Sequence, residues 1–230
     1  FIRTAFVYHL QYGSSIKIAS LAGLSFLTDA RLFAPSAEKN AGPIIDVVKV
    51  FAPETGMALE LASGTGQHVA KLATVKPKLI WQPSDAEPDR LSSINAWSEF
   101  HNFNNVKPAV LLDATEAGWS SQNRDQNFVL LVNLIHLVNE FGAITIIHEI
   151  SLALSPGGRL IVYGPFMRGG KLTSRGDMAF HQSLQQANPG IGYKNDMWML
   201  DQFRLSKLNF LTKSEMPANN LAFIVEKPLI

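Results

Sequence analysis

The chain has 230 residues, 47% of them hydrophobic, and its 20 Lys and Arg against 19 Asp and Glu leave a formal net charge of +1. This length and apolar content suit one α/β domain with a continuous core and exclude a disordered body, while the balanced charge lacks the broad positive field of general nucleic-acid binding. The absence of cysteine excludes a disulfide framework, a thiolate metal site and cysteine nucleophilic catalysis, and no apolar run approaches the roughly 18 residues of a membrane span.

Residues 1–30 carry Arg3 and Lys17, several serines and no acid before Asp29. They read as an N-terminal extension, either a segment packed or frayed against the domain or an organellar transit peptide. The location expected is cytoplasmic, or mitochondrial if the segment is a transit peptide. Residues 31–230 then form the domain. Ser36 is placed to cap a helix whose apolar positions include Ile44, Val48 and Phe51, with Pro43 tolerable only near its first turn and Pro53 beyond its end. Met57 to Leu61 reads as a buried strand, and Ser63-Gly64-Thr65-Gly66 as a tight turn into a helix near Gln67. Leu79 to Pro83 is a second strand, followed by Asp85 and a helix with Leu91, Ile94, Trp97 and His101 at helical spacing.

Pro108 to Leu112 and Asn127 to Val132 are the third and fourth strands. The next helix carries Ile144, Ile147, Ile150 and Leu154 and is stopped by Ser155-Pro156-Gly157-Gly158. Leu160 to Tyr163 is a fifth strand, Gly164 to Gly170 a loop, and helices are expected at about 174–187 and 195–208. Phe210 to Glu215 and Leu221 to Glu226 close as an antiparallel pair. Strands alternating with helices predict an α/β fold with a mainly parallel sheet covered on both faces.

In such a sheet a ligand binds beyond the carboxyl ends of the strands, where the strand order reverses. The chemistry-bearing residues fall at such ends. Glycines 64 and 66 allow a sharp turn and close approach to a ligand, against the plainer reading of a Gly turn in any α/β protein. A dinucleotide fingerprint would continue with Gly or Ala where this chain has Val69. Glu60, just before the turn, suits a ligand carrying an ammonium group better than a pyrophosphate. Asp85, 21 residues beyond Gly64, is spaced to accept both hydroxyls of a ribose or to cap the following helix, and the upstream Gly turn favours the ribose. Asp113 would meet an adenine amino group or form a turn.

The stretch from about 33 to 228 resembles the methyltransferase-like protein 26 family, within the class I S-adenosylmethionine-dependent methyltransferases. The resemblance is carried by Ala37-Glu38-Lys39-Asn40, Leu59 to His68, Trp81-Gln82-Pro83-Ser84-Asp85, Tyr163-Gly164-Pro165-Phe166 and Met216-Pro217-Ala218-Asn219-Asn220. It implies a seven-stranded, mainly parallel Rossmann-like methyltransferase sheet with helices on both faces and an antiparallel C-terminal strand. It also implies S-adenosyl-L-methionine as cofactor, wrapped by Glu60, Ala62, Ser63, Gly64 and Gly66, with Asp85 on the ribose and Asp113 on the adenine.

Asn40 and His68 are candidates for the methionine end of the cofactor, and Asn133 for the same site or for orienting the acceptor. His136, following the fourth strand, is the leading candidate for a base, with Tyr163 orienting the acceptor. Phe166 and Arg168 are expected on the acceptor side, Arg168 because a guanidinium pairs bidentately with a carboxylate or phosphate. The remaining histidines show no metal-ligand spacing, and no metal is expected. After the fourth strand and around residues 176–192 the chain departs from the family pattern, for example with Leu137-Val138-Asn139 where a Ser-Pro step is usual. These departures cluster where the acceptor, a small molecule or a protein side chain, would be recognised. Two further readings are open: a non-catalytic cofactor- or partner-binding module on this fold, and a nicotinamide-dependent oxidoreductase.

Overall fold

A computed structural model describes residues 29–229. The targeting segment expected within residues 1–28 lies outside them. The elements in chain order are α1 (Pro35–Phe51), β1 (Gly56–Leu61), α2 (Gln67–Val75), β2 (Leu79–Asp85), α3 (Pro88–His101), β3 (Val110–Leu111), β4 (Gln126–Val132), α4 (Glu140–Ala153), β5 (Leu154–Met167), α5 (Arg175–Ala187), β6 (Lys194–Asn195), α6 (Asp196–Leu205), β7 (Asn209–Met216) and β8 (Asn220–Glu226).

The sheet runs β3-β2-β1-β4-β5-β8-β7, and the two-residue β6 pairs with the far end of β5. Strands β1 to β6 pair in parallel, while β8 is antiparallel to both neighbours. The eighth strand, β6, was not legible in the sequence because two residues carry no periodicity. From β1 the chain winds outward to β2 and β3, then returns to place β4 on the other side of β1. The carboxyl ends of β1 and β4 therefore flank the crevice at which this class of sheet binds ligands.

Strand periodicity assigns the two faces. Leu59, Leu61, Val129 and Leu131 pack with Ile146, Ile147 and Ile150 of α4 and Phe203 of α6. Ala58, Phe128, Leu130 and Ile161 pack with Ile44 and Val48 of α1 and with Val69, Leu72 and Ile94 of α2 and α3. Glu60 is in step with Ala58, so its side chain belongs to the α1–α3 face.

Four local expectations are corrected. Helix α1 begins at Pro35, and its flanking Ala34 offers no side-chain cap; the Ala34 N–H instead donates to Gln67 Oε1 at 2.6 Å. Pro43 lies well inside that helix, where it denies the Lys39 carbonyl its usual donor, and burial of Ala41, Ile44 and Val48 holds the helix through it. Gly164 to Met167 is strand, because β5 extends from Leu154 to Met167 and pairs with β8 from Arg159 to Pro165. Helix α4 ends at Ala153, so Leu154 and the Ser-Pro-Gly-Gly step already belong to β5.

The two glycines of the turn after β1 do different work. Gly64, at φ +59°, has nothing among the described residues within 4 Å of where a Cβ would sit. At Gly66, φ +88°, a Cβ would meet the Ile94 Cα at 2.8 Å, so this glycine lets α2 start against α3 rather than giving a ligand room. Gly66→Ala is expected to lower the unfolding free energy by about 2 to 4 kcal/mol. Gly64→Ala should cost only about 1 kcal/mol. Urea denaturation of the two variants checks the contrast, and equal losses would contradict it.

Candidate functional site

The turn between β1 and α2 is tied to the end of β2 by four hydrogen bonds. Ser63 N–H donates to the Ser84 carbonyl at 2.8 Å, Ser84 N–H to Ser63 Oγ at 3.3 Å, Ser84 Oγ to the Glu60 carbonyl at 2.9 Å, and Gly64 N–H to Asp85 Oδ2 at 2.8 Å. Ala62 takes φ +52° to make the bend. Asp85 Oδ1 accepts the Glu87 N–H at 3.0 Å. Each oxygen of Asp85 thus holds one backbone donor and keeps a further lone pair, and the carboxylate orders the glycine turn whether or not it also meets a sugar.

Glu60 is 1% exposed, and its Oε2 has no hydrogen-bond partner among the described residues. Burial first, and the Asp85 charge further, push its carboxyl up to about 8 against a weaker opposing hydrogen bond with Ser63. Asp85 is also raised, chiefly by burial. Two carboxyl groups that resist ionisation at adjoining strand ends form a place for a cation.

Helix α1 covers this region through Asn40. His68 Nε2 donates to Asn40 Oδ1 at 2.7 Å, and the Asn40 side chain also hydrogen-bonds the buried Tyr163 hydroxyl, whose pKa burial raises. Burial, with the charge of Lys71 beside it, lowers His68 to about 4. Asn133, at φ +55°, donates its N–H to the Tyr163 carbonyl at 2.8 Å, joining the ends of β4 and β5.

His136 belongs to a separate cluster. It lies in a short 3-10 turn, Ile135–Leu137, and its ring packs edge-on against Phe180 at 5.7 Å and Tyr193 at 6.2 Å between centroids. Its Nδ1 is buried without a partner among the described residues. Burial, then the charge of Lys194, lowers it to about 3, so the ring is neutral at physiological pH. A cavity of about 460 Å³ alongside is lined by Asn139, Glu140, Phe141, Tyr193 and Lys194, among others.

The remaining sequence candidates sit elsewhere. Asp113 Oδ1 accepts the Thr115 N–H at 2.8 Å and Oγ1 at 2.6 Å, the turn alternative. Phe166 is a core residue, edge-on to Phe223 at 5.0 Å. Arg168 is engaged within the protein: Nη1 donates to the Phe166 carbonyl, and Nη2 reaches Glu215 Oε2 at 2.8 Å and the Asn219 carbonyl at 3.0 Å. It fastens the end of β5 to the Met216–Asn220 turn rather than presenting a free guanidinium. Gln67 and Lys194 were missed: Gln67 Oε1 joins Ala34 and Thr65, and Lys194 is a buried cation. Gln67 stands in the Leu59–His68 block without a role of its own there, Lys194 stands in no motif, and only tertiary packing reveals what either does. Among the described residues no helix is long and apolar enough to cross a membrane, and no group of three or more His, Asp or Glu could hold a metal ion.

The family described as Protein of unknown function (DUF938) matches residues 31–227. The chain belongs to that family. Among solved structures it is similar to an O-methyltransferase family protein from Burkholderia thailandensis, with a TM-score of 0.71, 17% identity, and coverage of 82% of this chain and 56% of that one. It is also similar to an O-methyltransferase family 2 protein from Planctomyces limnophilus in complex with apigenin, with a TM-score of 0.71, 16% identity, and coverage of 84% and 58%. A third is the S-adenosylmethionine-dependent methyltransferase SibL, with a TM-score of 0.69, 14% identity, and coverage of 84% and 56%. The chain thus has the class I methyltransferase fold and spans a little over half the length of these structures.

Three buried groups fix how stability should vary with pH. His68 and His136 have lowered pKa values, about 4 and about 3, against 6.5 in the unfolded chain; the stability they contribute is present above 6.5 and lost as pH falls. Glu60 is raised to about 8 from 4.5; its contribution is present below 4.5 and lost as pH rises through 8. Stability of the wild type is therefore expected to peak near pH 6.5 and decline toward 8. Glu60→Gln should flatten the alkaline decline and exceed the wild type at pH 8 by an amount on the order of a few kcal/mol. Thermal unfolding across pH checks both, and an unchanged decline in Glu60→Gln would contradict the assignment.

Proposed function

We propose that this chain is an S-adenosylmethionine-dependent methyltransferase that transfers a methyl group directly to an acceptor oxygen or nitrogen. The observation that carries the reading is the buried Glu60 carboxyl, its Oε2 unpartnered among the described residues, beside a glycine turn with open space at Gly64. A sheet of this topology alone would not demand a carboxyl there. A cationic amino acid moiety would satisfy the carboxyl, and the open space admits a ligand against the backbone.

In this reading Glu60 holds the α-ammonium group and Ser63 and Gly64 follow the chain of the ligand. Asp85 uses its remaining lone pairs on the ribose hydroxyls. Asn40, His68 and Tyr163 close the α1 side, and Asn133 sets the space between the β4 and β5 ends. The solved neighbour named as S-adenosylmethionine-dependent supports this choice of ligand. When bound, S-adenosylmethionine supplies an electrophilic methyl on a sulfonium, so that transfer breaks the S–CH3 bond and releases S-adenosylhomocysteine and the acceptor's proton. The protein's task is to align the acceptor and take its proton. Neutral His136 has a ring nitrogen unpartnered among the described residues for the latter, and the cavity lined by Tyr193, against which its ring packs, gives an acceptor room.

Titration calorimetry with S-adenosylhomocysteine tests the ligand. Micromolar or tighter binding is expected, weakened by about tenfold or more in Glu60→Gln and in Asp85→Asn. No heat with the wild type would sink the reading. Because a bound ammonium favours the ionised form of Glu60, binding should tighten from about pH 6 to about pH 7.5 and release a proton, seen as a dependence of heat on buffer.

A release assay for S-adenosylhomocysteine over an acceptor panel tests the base. On any acceptor the wild type methylates, His136→Gln is expected to reduce turnover about a hundredfold or more while leaving cofactor affinity unchanged. Full turnover in that variant would remove His136 from the mechanism.

A further inference from the structure

The turn after β4 and the start of β6 are fastened together by a buried cation. Lys194 is 6% exposed. Its Nζ donates to the Val138 carbonyl at 2.7 Å and the Gly192 carbonyl at 3.0 Å, and the Gly192 N–H donates to the His136 carbonyl at 3.0 Å. The ammonium therefore ties the backbone two residues beyond His136 to Gly192, whose N–H in turn holds the His136 carbonyl. Burying a charge for two neutral carbonyls is expensive, and a neutral donor would serve those carbonyls at lower cost.

The groups around the imidazole show what the charge can act on. Helix α5 brings Phe180, Asp177 and His181. The Asp177 carboxylate is engaged by Thr173, Ser174, Asn219 and the Tyr193 hydroxyl, and His181 Nδ1 accepts the Tyr193 N–H. The segment before β6 brings Tyr193, whose hydroxyl is held protonated by burial and the Asp177 charge. Helix α4 brings Glu140, which is exposed and acts on Lys194 across the cavity. No carboxylate hydrogen-bonds the His136 ring among the described residues.

We infer that Lys194 is a positioning residue for His136: its ammonium fixes the turn that presents the imidazole, and its positive charge, held in the same buried cluster, opposes a resting positive charge on that ring. This rests on the reading of His136 as the acceptor-side base. With no carboxylate hydrogen-bonded to the ring among the described residues, a second positive charge inside the same low-dielectric cluster would meet the repulsion of the ammonium, and the ring stays neutral. The electrostatic coupling is consistent with this geometry. The Lys194 charge adds to burial in lowering His136, and burial lowers Lys194 itself to about 8.

The test is a histidine-selective 15N and 13C NMR titration of the free full-length protein, with His136 assigned through His136→Gln. In the wild type, the His136 shifts should show no protonation down to about pH 4.5 and should respond to loss of the Lys194 proton with a midpoint near 8. In Lys194→Met the His136 protonation midpoint should rise by about one pH unit or more, while Lys194→Arg, which retains the charge, stays close to the wild type. An unchanged midpoint in a folded Lys194→Met would overturn the inference. A rise in Lys194→Arg equal to that in Lys194→Met would also overturn it, since packing rather than charge would then be responsible. If Lys194→Met does not fold, the wild-type response near 8 decides, and its absence overturns the inference. Loss of cofactor binding would sink the methyltransferase reading without altering these titrations.

Discussion

A carboxyl group buried at the end of the central strand β1, with an oxygen unpartnered among the described residues, is the constraint around which the α1–α3 side of this protein is arranged. Its side chain must share a face with Ala58, Phe128 and Leu130 because the strand alternates, and those residues face an apolar layer. Nothing in that layer can solvate a charge, so the group carries a proton at neutral pH. The backbone around it is correspondingly rigid. Ser84 takes up the Glu60 carbonyl, and Ser63 and Gly64 are bonded to the end of β2. Fixing the turn this firmly keeps water-starved polar groups in place without letting them collapse on one another, an arrangement that costs stability and is typical of binding sites.

Helix α1 contributes to the site as well as to the core. Its buried residues Ile44 and Val48 join the α1–α3 face, while Asn40, a turn earlier, reaches both His68 at the start of α2 and Tyr163 in β5. The Pro43 that interrupts its hydrogen-bonding therefore sits between two anchors, one apolar and one polar. Gln67 adds a third link by accepting the Ala34 N–H ahead of the helix and the Thr65 hydroxyl in the glycine turn. Position and orientation of α1 thus follow from the same turn that follows Glu60.

The fold was legible because its signals are local and repeated: short aliphatic runs, the Gly turn, the Asp residues at or after the ends of β2 and β3, and the antiparallel C-terminal pair all fell where the sheet has them. Strand β6 was not, since two residues cannot show a period, and β5 was read too short because its Pro and Gly positions resemble a loop until pairing with β8 is seen. At the site, the β1 turn and the place of Asp85 at the end of β2 follow from spacing, whereas the hydrogen bond from Gly64 to Asp85 shows only in the folded chain. Arg168 and Phe166 show the limit of that reasoning. Both follow the Leu160–Tyr163 run that reads as a strand in the sequence, but one side chain finds Glu215 and the other Phe223, partners about 50 residues away in sequence. Lys194 was invisible for the converse reason: a lone lysine reads as a surface residue, and only the carbonyls of Val138 and Gly192 converging on it make it a buried one.

The two polar clusters are therefore biased in opposite electrostatic senses. Around Glu60 and Asp85, acidic groups with suppressed ionisation would gain from an arriving cation, which restores their charge and relieves their burial. Around His136, a fixed ammonium makes any further positive charge unwelcome, which favours an imidazole that waits unprotonated. On the proposed reading the first cluster holds the ligand's ammonium, which takes no part in the transfer, and the second receives the proton that the acceptor gives up. A base held neutral by Lys194 would accept that proton only transiently, at the moment the acceptor gives it up, and would return it readily to solvent. The same charge that discourages a resting imidazolium thereby also discourages the spent one from persisting.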